Sequence, residues 1–383
     1  MNKIGFLLGR EFKLSIKEIL EVFNTASVFY CDKKVLIIEG VLEEEILNKA
    51  NILGGTIKIF KLNKLDNKAD YIEEIIKNKG NKKYAYAINN FSKNIKNREL
   101  LIDTKKTLKE KKISSRFVNK DFKNLSSAHI IKEKLVDTKS DFNFIEVEGN
   151  YYFGETIFVQ DIDAYSKRDY EKQRDMQTGM LPPKLSQMML NLAGDKDVYD
   201  PFCGLGTVLI EAVLRGDKNT YGSDISINMV EFSIDNLEKA KREYNLDFNF
   251  EIARLNAGEI DKSDFINKKI NIVTEGYLGE IMTKRGISIE KIEKQRKILS
   301  AIYKDFFSNL KKIKFDGNII ISFPFWNLKG KYCYLEEIYP ILEKNCEIIR
   351  LDTPCFNASK FGSLLYIRDN QLVGREIFKL KIK

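Results

Sequence analysis

The sequence predicts an α/β chain, with a Rossmann-like cofactor domain preceded by smaller α+β domains. Three observations predict it. Asp200-Pro201-Phe202-Cys203-Gly204-Leu205-Gly206-Thr207 lies between strand-like Val198-Tyr199 and the helical run Val208–Leu214. One apolar segment later, Tyr221-Gly222-Ser223-Asp224 places a carboxylate twenty residues beyond Gly204. Residues 1–62 read as β-α-β-β-α-β, and the chain beyond residue 180 alternates strand and helix as an open parallel sheet does.

The elements follow in order. A strand at Ile4–Gly9 precedes a helix at Ser15–Phe23, with Ser15 as N-cap and Glu18 completing a capping box. Strands at Ser27–Tyr30 and Lys34–Glu39, a helix at Glu43–Asn51 and a strand at Thr56–Leu62 complete the first unit. A helix around Tyr71–Asn78 and a strand at Tyr84–Asn89 open the next. The amphipathic helix Arg98–Lys112 sets Leu101, Thr104 and Leu108 on one side and Lys105, Lys109 and Lys112 on another. A strand at Arg116–Asn119, a helix at Ser127–Leu135 and strands at Asn143–Glu148 and Tyr151–Val159 follow. The charged stretch Ser166–Thr178 reads as a linker ending in Gly179-Met180-Leu181-Pro182-Pro183.

A chain of 383 residues exceeds one ordinary core, so two or three domains are expected. No apolar run is long enough for a transmembrane helix, and the N-terminus does not read as a signal peptide. The five cysteines are scattered and include no Cys-x-x-Cys pair, which predicts a reducing, cytoplasmic setting without disulfides or a zinc site. His129 is the single histidine, which argues against His-based metal sites and Ser-His-Asp chemistry. No metal and no membrane partner are expected.

Charge is segregated. Residues 57–140 hold 22 Lys and Arg against 10 Asp and Glu, a balance of +12, while the whole chain carries +9. The remainder is therefore about −3 by subtraction. A lysine-rich composition explains abundance but not segregation, so this segment is expected to meet phosphates.

Two glycines at a strand-to-helix turn let a backbone approach a ligand, and an acid at the tip of the second strand suits ribose hydroxyls. A dinucleotide fingerprint requires a third glycine where Leu209 stands. Its absence favours a cofactor without a pyrophosphate, and S-adenosyl-L-methionine (SAM) fits best.

Met180-Leu181-Pro182-Pro183-Lys184, Asn191-Leu192-Ala193 and the 200–207 loop resemble the catalytic domain of the THUMP-containing tRNA guanine-N2 methyltransferases. Leu7-Leu8-Gly9-Arg10 with Leu14-Ser15-x-x-Glu18 is similar to that group's opening ferredoxin-like domain. Asn124-Leu125-Ser126-Ser127-Ala128 with Lys132, Lys134 and Leu135 resembles its THUMP RNA-binding domain, and Leu365-Tyr366-x-Arg368 with Val373–Ile377 resembles its closing segment. The resemblance implies a ferredoxin-like domain over 1–62, a THUMP-like domain over 63–162, a linker over 163–179 and a SAM-dependent methyltransferase domain over 180–383. It implies cofactor contacts from Asp200, Gly204, Gly206, Thr207, Asp224, Asn256 and Met180. Asn256 stands where the family usually has Asp, and Met180 to Pro183 serve either as a cofactor cover or as the first turn of a helix.

The catalytic loop departs from the family. Enzymes that methylate exocyclic amines use Asp/Asn/Ser-Pro-Pro-Tyr/Phe after the fourth strand, because a delocalised amine needs hydrogen-bond acceptors and a ring to stack on the extruded base. Here Ile270-Asn271-Ile272-Val273 is followed by Thr274-Glu275-Gly276-Tyr277-Leu278-Gly279, with no proline. Alignment on the acid makes Glu275 the acceptor; alignment on the ring makes Thr274 the acceptor and Tyr277 the stacker. The expected function is SAM-dependent methylation of an exocyclic amine in RNA, guanine N2 of tRNA. The alternatives are a SAM-binding RNA-binding protein with little or no catalysis, and a DNA adenine-N6 methylase.

Overall fold

The computed structural model describes residues 3–78, 84–170, 181–283, 286–369 and 371–383. The chain divides into two compact units, one of Met1–Ile16 with Phe23–Ser166 and one of Lys17–Val22 with Lys167–Lys383.

The first unit runs β1 (Lys3–Leu8), α1 (Phe12–Val22, whose last turns count with the second unit), β2 (Ser27–Cys31), β3 (Val35–Glu39), α2 (Glu43–Lys49) and β4 (Thr56–Lys64). It continues with α3 (Tyr71–Lys77), β5 (Tyr84–Asn90), α4 (Asn97–Glu110), β6 (Ser115–Phe117), α5 (Ser127–Lys132), β7 (Asp141–Val147) and β8 (Asn150–Val159). Its strands join in a single sheet of order β2-β3-β1-β4-β8-β7-β5-β6, so the strands of the two expected N-terminal domains are hydrogen-bonded to one another through β4 and β8. Lys58 on β4 is buried against Asp141 on β7 at 3.0 Å, and Asn89 on β5 donates to the same carboxylate. That lysine is therefore a sheet tie and not part of a phosphate-binding surface. By contrast, Lys106, Lys109 and Lys112, on α4 and the turn after it, are exposed.

Two details differ from the sequence-based expectation. The first helix begins at Phe12, so Ser15 is an interior residue and no N-cap. Its hydroxyl bonds back to the Glu11 carbonyl at 3.1 Å, a local alternative open to any helical serine. The stretch expected as a linker from residue 163 opens with helix α6 (Ile162–Tyr170); residues 171–180 lie outside the described residues.

The second unit holds α7 (Pro183–Ala193), β9 (Asp197–Asp200), α8 (Thr207–Arg215), β10 (Asn219–Asp224), α9 (Ile227–Glu243), β11 (Asn249–Arg254) and β12 (Ile270–Thr274). It ends with α10 (Ile289–Lys312), β13 (Ile319–Leu328), β14 (Lys331–Tyr334), α11 (Ile338–Asn345), β15 (Cys346–Ile349), β16 (Leu364–Tyr366) and β17 (Val373–Ile382). The main sheet order is β11-β10-β9-β12-β13-β17-β15. The first five of these strands are parallel, whereas β17 runs antiparallel to both β13 and β15. The expected open parallel sheet is thus a mixed one, closed by an antiparallel strand inserted beside β13. Tyr303, Phe306 and Phe307 of α10 pack with Phe323 of β13 and Phe378 of β17 in the core on one face. The Phe323-Pro324-Phe325-Trp326 run is buried within β13.

Candidate active site

In open α/β sheets, ligands bind beyond the carboxyl ends of the strands, where the strand order reverses. Here that point lies between β9 and β12, which are parallel neighbours. The 200–207 loop leaves the end of β9 and the 274–279 loop leaves the end of β12. Asp224 stands at the end of the next strand, β10.

The first loop is held by its own chemistry. Asp200, 2% exposed, accepts from the Phe202 amide at 3.0 Å, and the neighbouring Thr274 side chain favours its ionised form. Burial pushes its carboxyl up to about 7, with Asp224 and Glu275 adding repulsion. Gly204 has φ +52, and a Cβ there would meet only the Phe202 carbonyl oxygen, at 4.0 Å, so a ligand can approach the chain there. Gly206 has φ +76 and caps α8, but a Cβ on it would fall 2.6 Å from the Ser233 hydroxyl. Its smallness therefore serves the close packing of α9 against the loop. Both amides are engaged within the protein, Gly204 with Asp224 at 3.0 Å and Gly206 with the Cys203 carbonyl at 2.8 Å. Thr207 is the buried first residue of α8.

The missing third glycine has a structural answer. Leu209 of α8 fits against Gly222 of β10, where a Cβ would lie 2.7 Å from the leucine methyl. The glycine that lets helix and strand approach is on the strand, not on the helix. Cys203 beside it is buried, and that burial raises its thiol well above the ordinary value, which suits packing and not nucleophilic chemistry.

Asp224 accepts from Gly204 and, through its other oxygen, from Ser226 at 2.9 Å. An ionised carboxylate offers about four lone-pair sites, so each oxygen keeps capacity for a ribose hydroxyl. Ile225 beside it is 64% exposed, an apolar surface suited to a flat ring; spacing alone could not single it out. Asn256 follows β11 and caps the next turn, its side chain accepting from the Gly258 amide at 2.9 Å. Pro183 is the first residue of α7 after Pro182, a helix start of the usual kind; Met180 lies outside the described residues. His129 is exposed and its ring pairs with the Ser126 hydroxyl at 2.8 Å, a local contact between side chains.

The second loop brings Thr274, Glu275 and Tyr277 to this crevice in three different states. Thr274 is fully buried; its hydroxyl accepts from the Gly276 amide at 3.1 Å, and its side chain favours the ionised form of Asp200. Gly276 has φ +71, and a Cβ there would meet the Tyr303 hydroxyl at 2.5 Å. Proline, with φ fixed near −65° and no N–H, cannot occupy that position. The Glu275 carbonyl accepts from the Ser322 hydroxyl at 2.7 Å, and the Tyr277 carbonyl from Tyr303 at 2.8 Å. With the main chain pinned, the Tyr277 ring remains 41% exposed. The Glu275 carboxylate is paired with the buried guanidinium of Arg375 on β17, a residue that nothing near the loop in the sequence points to. Burial raises the Glu275 carboxyl while Arg375 opposes the rise.

The residues present suit a nucleoside cofactor: an open glycine, a partly exposed carboxylate and an apolar side chain lie in sequence around the strand ends. If Asp224 holds the ribose, Asp224→Ala should weaken SAM binding by about 1.5–3 kcal/mol, the cost of losing charge-assisted hydrogen bonds. Unchanged affinity in titration calorimetry would remove Asp224 from the site.

Comparison with known proteins follows the same line. Residues 171–266 match the family described as RMKL-like, methyltransferase domain. The chain is 28% identical to the tRNA (guanine(10)-N2)-dimethyltransferase of Methanocaldococcus jannaschii over 348 residues, spanning 82% of this chain and 93% of that protein. It is 34% identical over 120 residues to the protein of the same name from Methanothermobacter thermautotrophicus, covering 30% of this chain and 33% of that one. Among solved structures, TrmN from Thermus thermophilus aligns with a TM-score of 0.54 at 12% identity, covering all of both chains. A possible methylase from Clostridium difficile 630 aligns with a TM-score of 0.51 at 13% identity over 100% of this chain and 99% of that one. The methyltransferase fold and the family resemblance read from the sequence are borne out.

Proposed function

We propose that this chain is a SAM-dependent tRNA methyltransferase that acts on N2 of guanine. The observation that carries the reading is the crevice between β9 and β12, where Asp200, Asp224 and the 274–277 loop converge at the sheet's switch point. The length of the resemblance to a protein named as a tRNA guanine-N2 dimethyltransferase supports the substrate.

When bound, SAM supplies an electrophilic methyl group on a sulfonium. The chain's part is to orient the base and accept its amine hydrogens. The Thr274 side chain is fully buried and its hydroxyl is engaged by the Gly276 amide, so the acceptor role falls to the Glu275 carboxylate. Tyr277, with its carbonyl pinned and its ring exposed, is the surface on which an extruded guanine stacks. Asp224 holds the ribose and Asp200 sets the loop, with Gly204, Gly206 and Thr207 shaping it; Asn256 lies at the adenine end.

The first unit supplies the grip on RNA, by phosphate and shape, through its exposed lysines. If so, tRNA affinity should fall steeply with salt. Replacing Lys106, Lys109 and Lys112 together with alanine should flatten the salt slope by about two to three. An unchanged slope would place the RNA surface elsewhere. The cytoplasm is the natural compartment for such a substrate. Among the described residues no helix is long and apolar enough to cross a membrane.

A binding-only reading rests on one observation, the remade loop without prolines. Incubation with labelled SAM and unmodified total tRNA, followed by nucleoside mass spectrometry, separates the two. N2-methylguanosine or its dimethyl form supports the enzyme; SAM and tRNA binding without any methylated nucleoside supports the binder.

A further inference from the structure

We infer that Arg375 is a positioning residue that keeps Glu275 ionised and aimed into the crevice, taking over the work that two prolines perform in loops of the Pro-Pro type. The inference rests on the reading of Glu275 as amine acceptor.

Five observations carry it. Arg375 is 4% exposed and its side chain meets Glu275 across 100 residues of sequence. Its own place is fixed on both flanks, since Arg375 pairs with Pro324 of β13 and with Tyr366 of β16. The guanidinium carbon also lies 6.0 Å from the centre of the Tyr366 ring, whose hydroxyl accepts from Arg368 at 3.1 Å. The loop itself cannot be stiffened by proline, because Gly276 has positive φ and uses its amide. The main-chain bonds from Ser322 and Tyr303 fix the backbone on either side but do not reach the carboxylate.

The charges around Glu275 make Arg375 necessary. Asp200, from the end of β9, repels it, and Asp224 stands behind Asp200. Tyr303, from α10, faces it as a neutral phenol pushed far up by burial. Arg375, from β17, is the cation that opposes burial and repulsion. A buried carboxylate that loses its cation takes up a proton. A protonated Glu275 spends one oxygen as a donor and is a poorer acceptor for an amine. Arg suits the task better than Lys because its planar fork sets the carboxylate's direction as well as its charge.

The test uses the full chain with Arg375→Met and Arg375→Gln, the second keeping a donor while losing the charge. Turnover is followed from about pH 5.5 to 9, and the Glu275 carboxyl is followed by carbon NMR, assigned by its loss in Glu275→Gln. The acid limb of the kcat profile should move up by at least one pH unit, with kcat at pH 7 down at least tenfold and KM for SAM within about twofold. Arg375→Lys should restore the position of the limb with a lower plateau. The NMR titration should move with the limb. Profiles and titrations that superimpose on those of the unmodified protein, with only the melting temperature lowered, would overturn the inference and leave Arg375 a structural tie. If the unmodified protein transfers no methyl group, the enzyme reading fails, and the NMR titration still decides whether Arg375 governs the charge of Glu275.

Discussion

Glu275→Gln should slow methyl transfer by roughly a hundred- to a thousandfold while leaving SAM affinity nearly unchanged. The size is that of removing one preorganised charge-stabilising group from a reacting centre. The asymmetry between rate and affinity follows from position, because Glu275 lies on the loop after β12 while the cofactor candidates lie on β9 and β10. Single-turnover rates together with calorimetric SAM titration would measure both. Tyr277→Ala should add a loss of about 1–3 kcal/mol in base stacking, read as a weaker interaction with RNA. If Glu275→Gln keeps the full rate and loses only thermal stability, its pairing with Arg375 is a fastener and the acceptor lies elsewhere.

The second large effect concerns Asp200 and pH. Its carboxyl is pushed up to about 7 in the folded chain against an ordinary value of 3.8, chiefly by burial. The folded protein therefore keeps a proton that the unfolded chain has released between about pH 4 and pH 7. Stability contributed by this group is full below that window and is lost as pH rises through it. At about 1.4 kcal/mol per pH unit, the swing is on the order of 4 kcal/mol. Asp200→Asn, which cannot titrate, should flatten the fall by about one proton's worth, measured as the pH dependence of denaturant midpoints between pH 4.5 and 7.5. The other acids raised by desolvation, Asp224 and Glu376 among them, should keep the remaining slope. A cationic cofactor favours the ionised form of Asp200, so SAM affinity should rise across pH 6 to 8 in the unmodified protein and be flatter in Asp200→Asn. Equal slopes for the two proteins would mean that Asp200 does not hold this proton.

Much of the candidate site was legible in the sequence because its signals are local. A glycine turn between a strand and a helix, an acid at a fixed distance and a motif after the fourth strand are all properties of short stretches. Asp200, Gly204, Asp224 and the 274–277 loop could be named from them, and the comparisons bear out the fold class and the family resemblance. Local reasoning also went wrong where local chemistry has two solutions. Ser15 satisfies a capping box on paper but back-bonds inside α1, and the charged stretch from residue 163 opens as a helix.

What the tertiary structure decided depends on residues far apart in the chain. Gly222 takes the place of a glycine at position 209, because either side of a helix–strand contact can supply the missing side chain. The antiparallel β17 enters the sheet beside β13 and brings Arg375 to Glu275, an approach no periodicity encodes. The proposed preference for Glu275 over Thr274 also needs three dimensions: a hydroxyl and a carboxylate in adjacent positions look equally able to accept a hydrogen, until the fold buries the first and gives the second a cation. The sequence by itself determined which candidate groups stand at the strand ends; the packing of distant strands decided which of them are buried and which are paired, since burial and pairing are properties of neighbours in space.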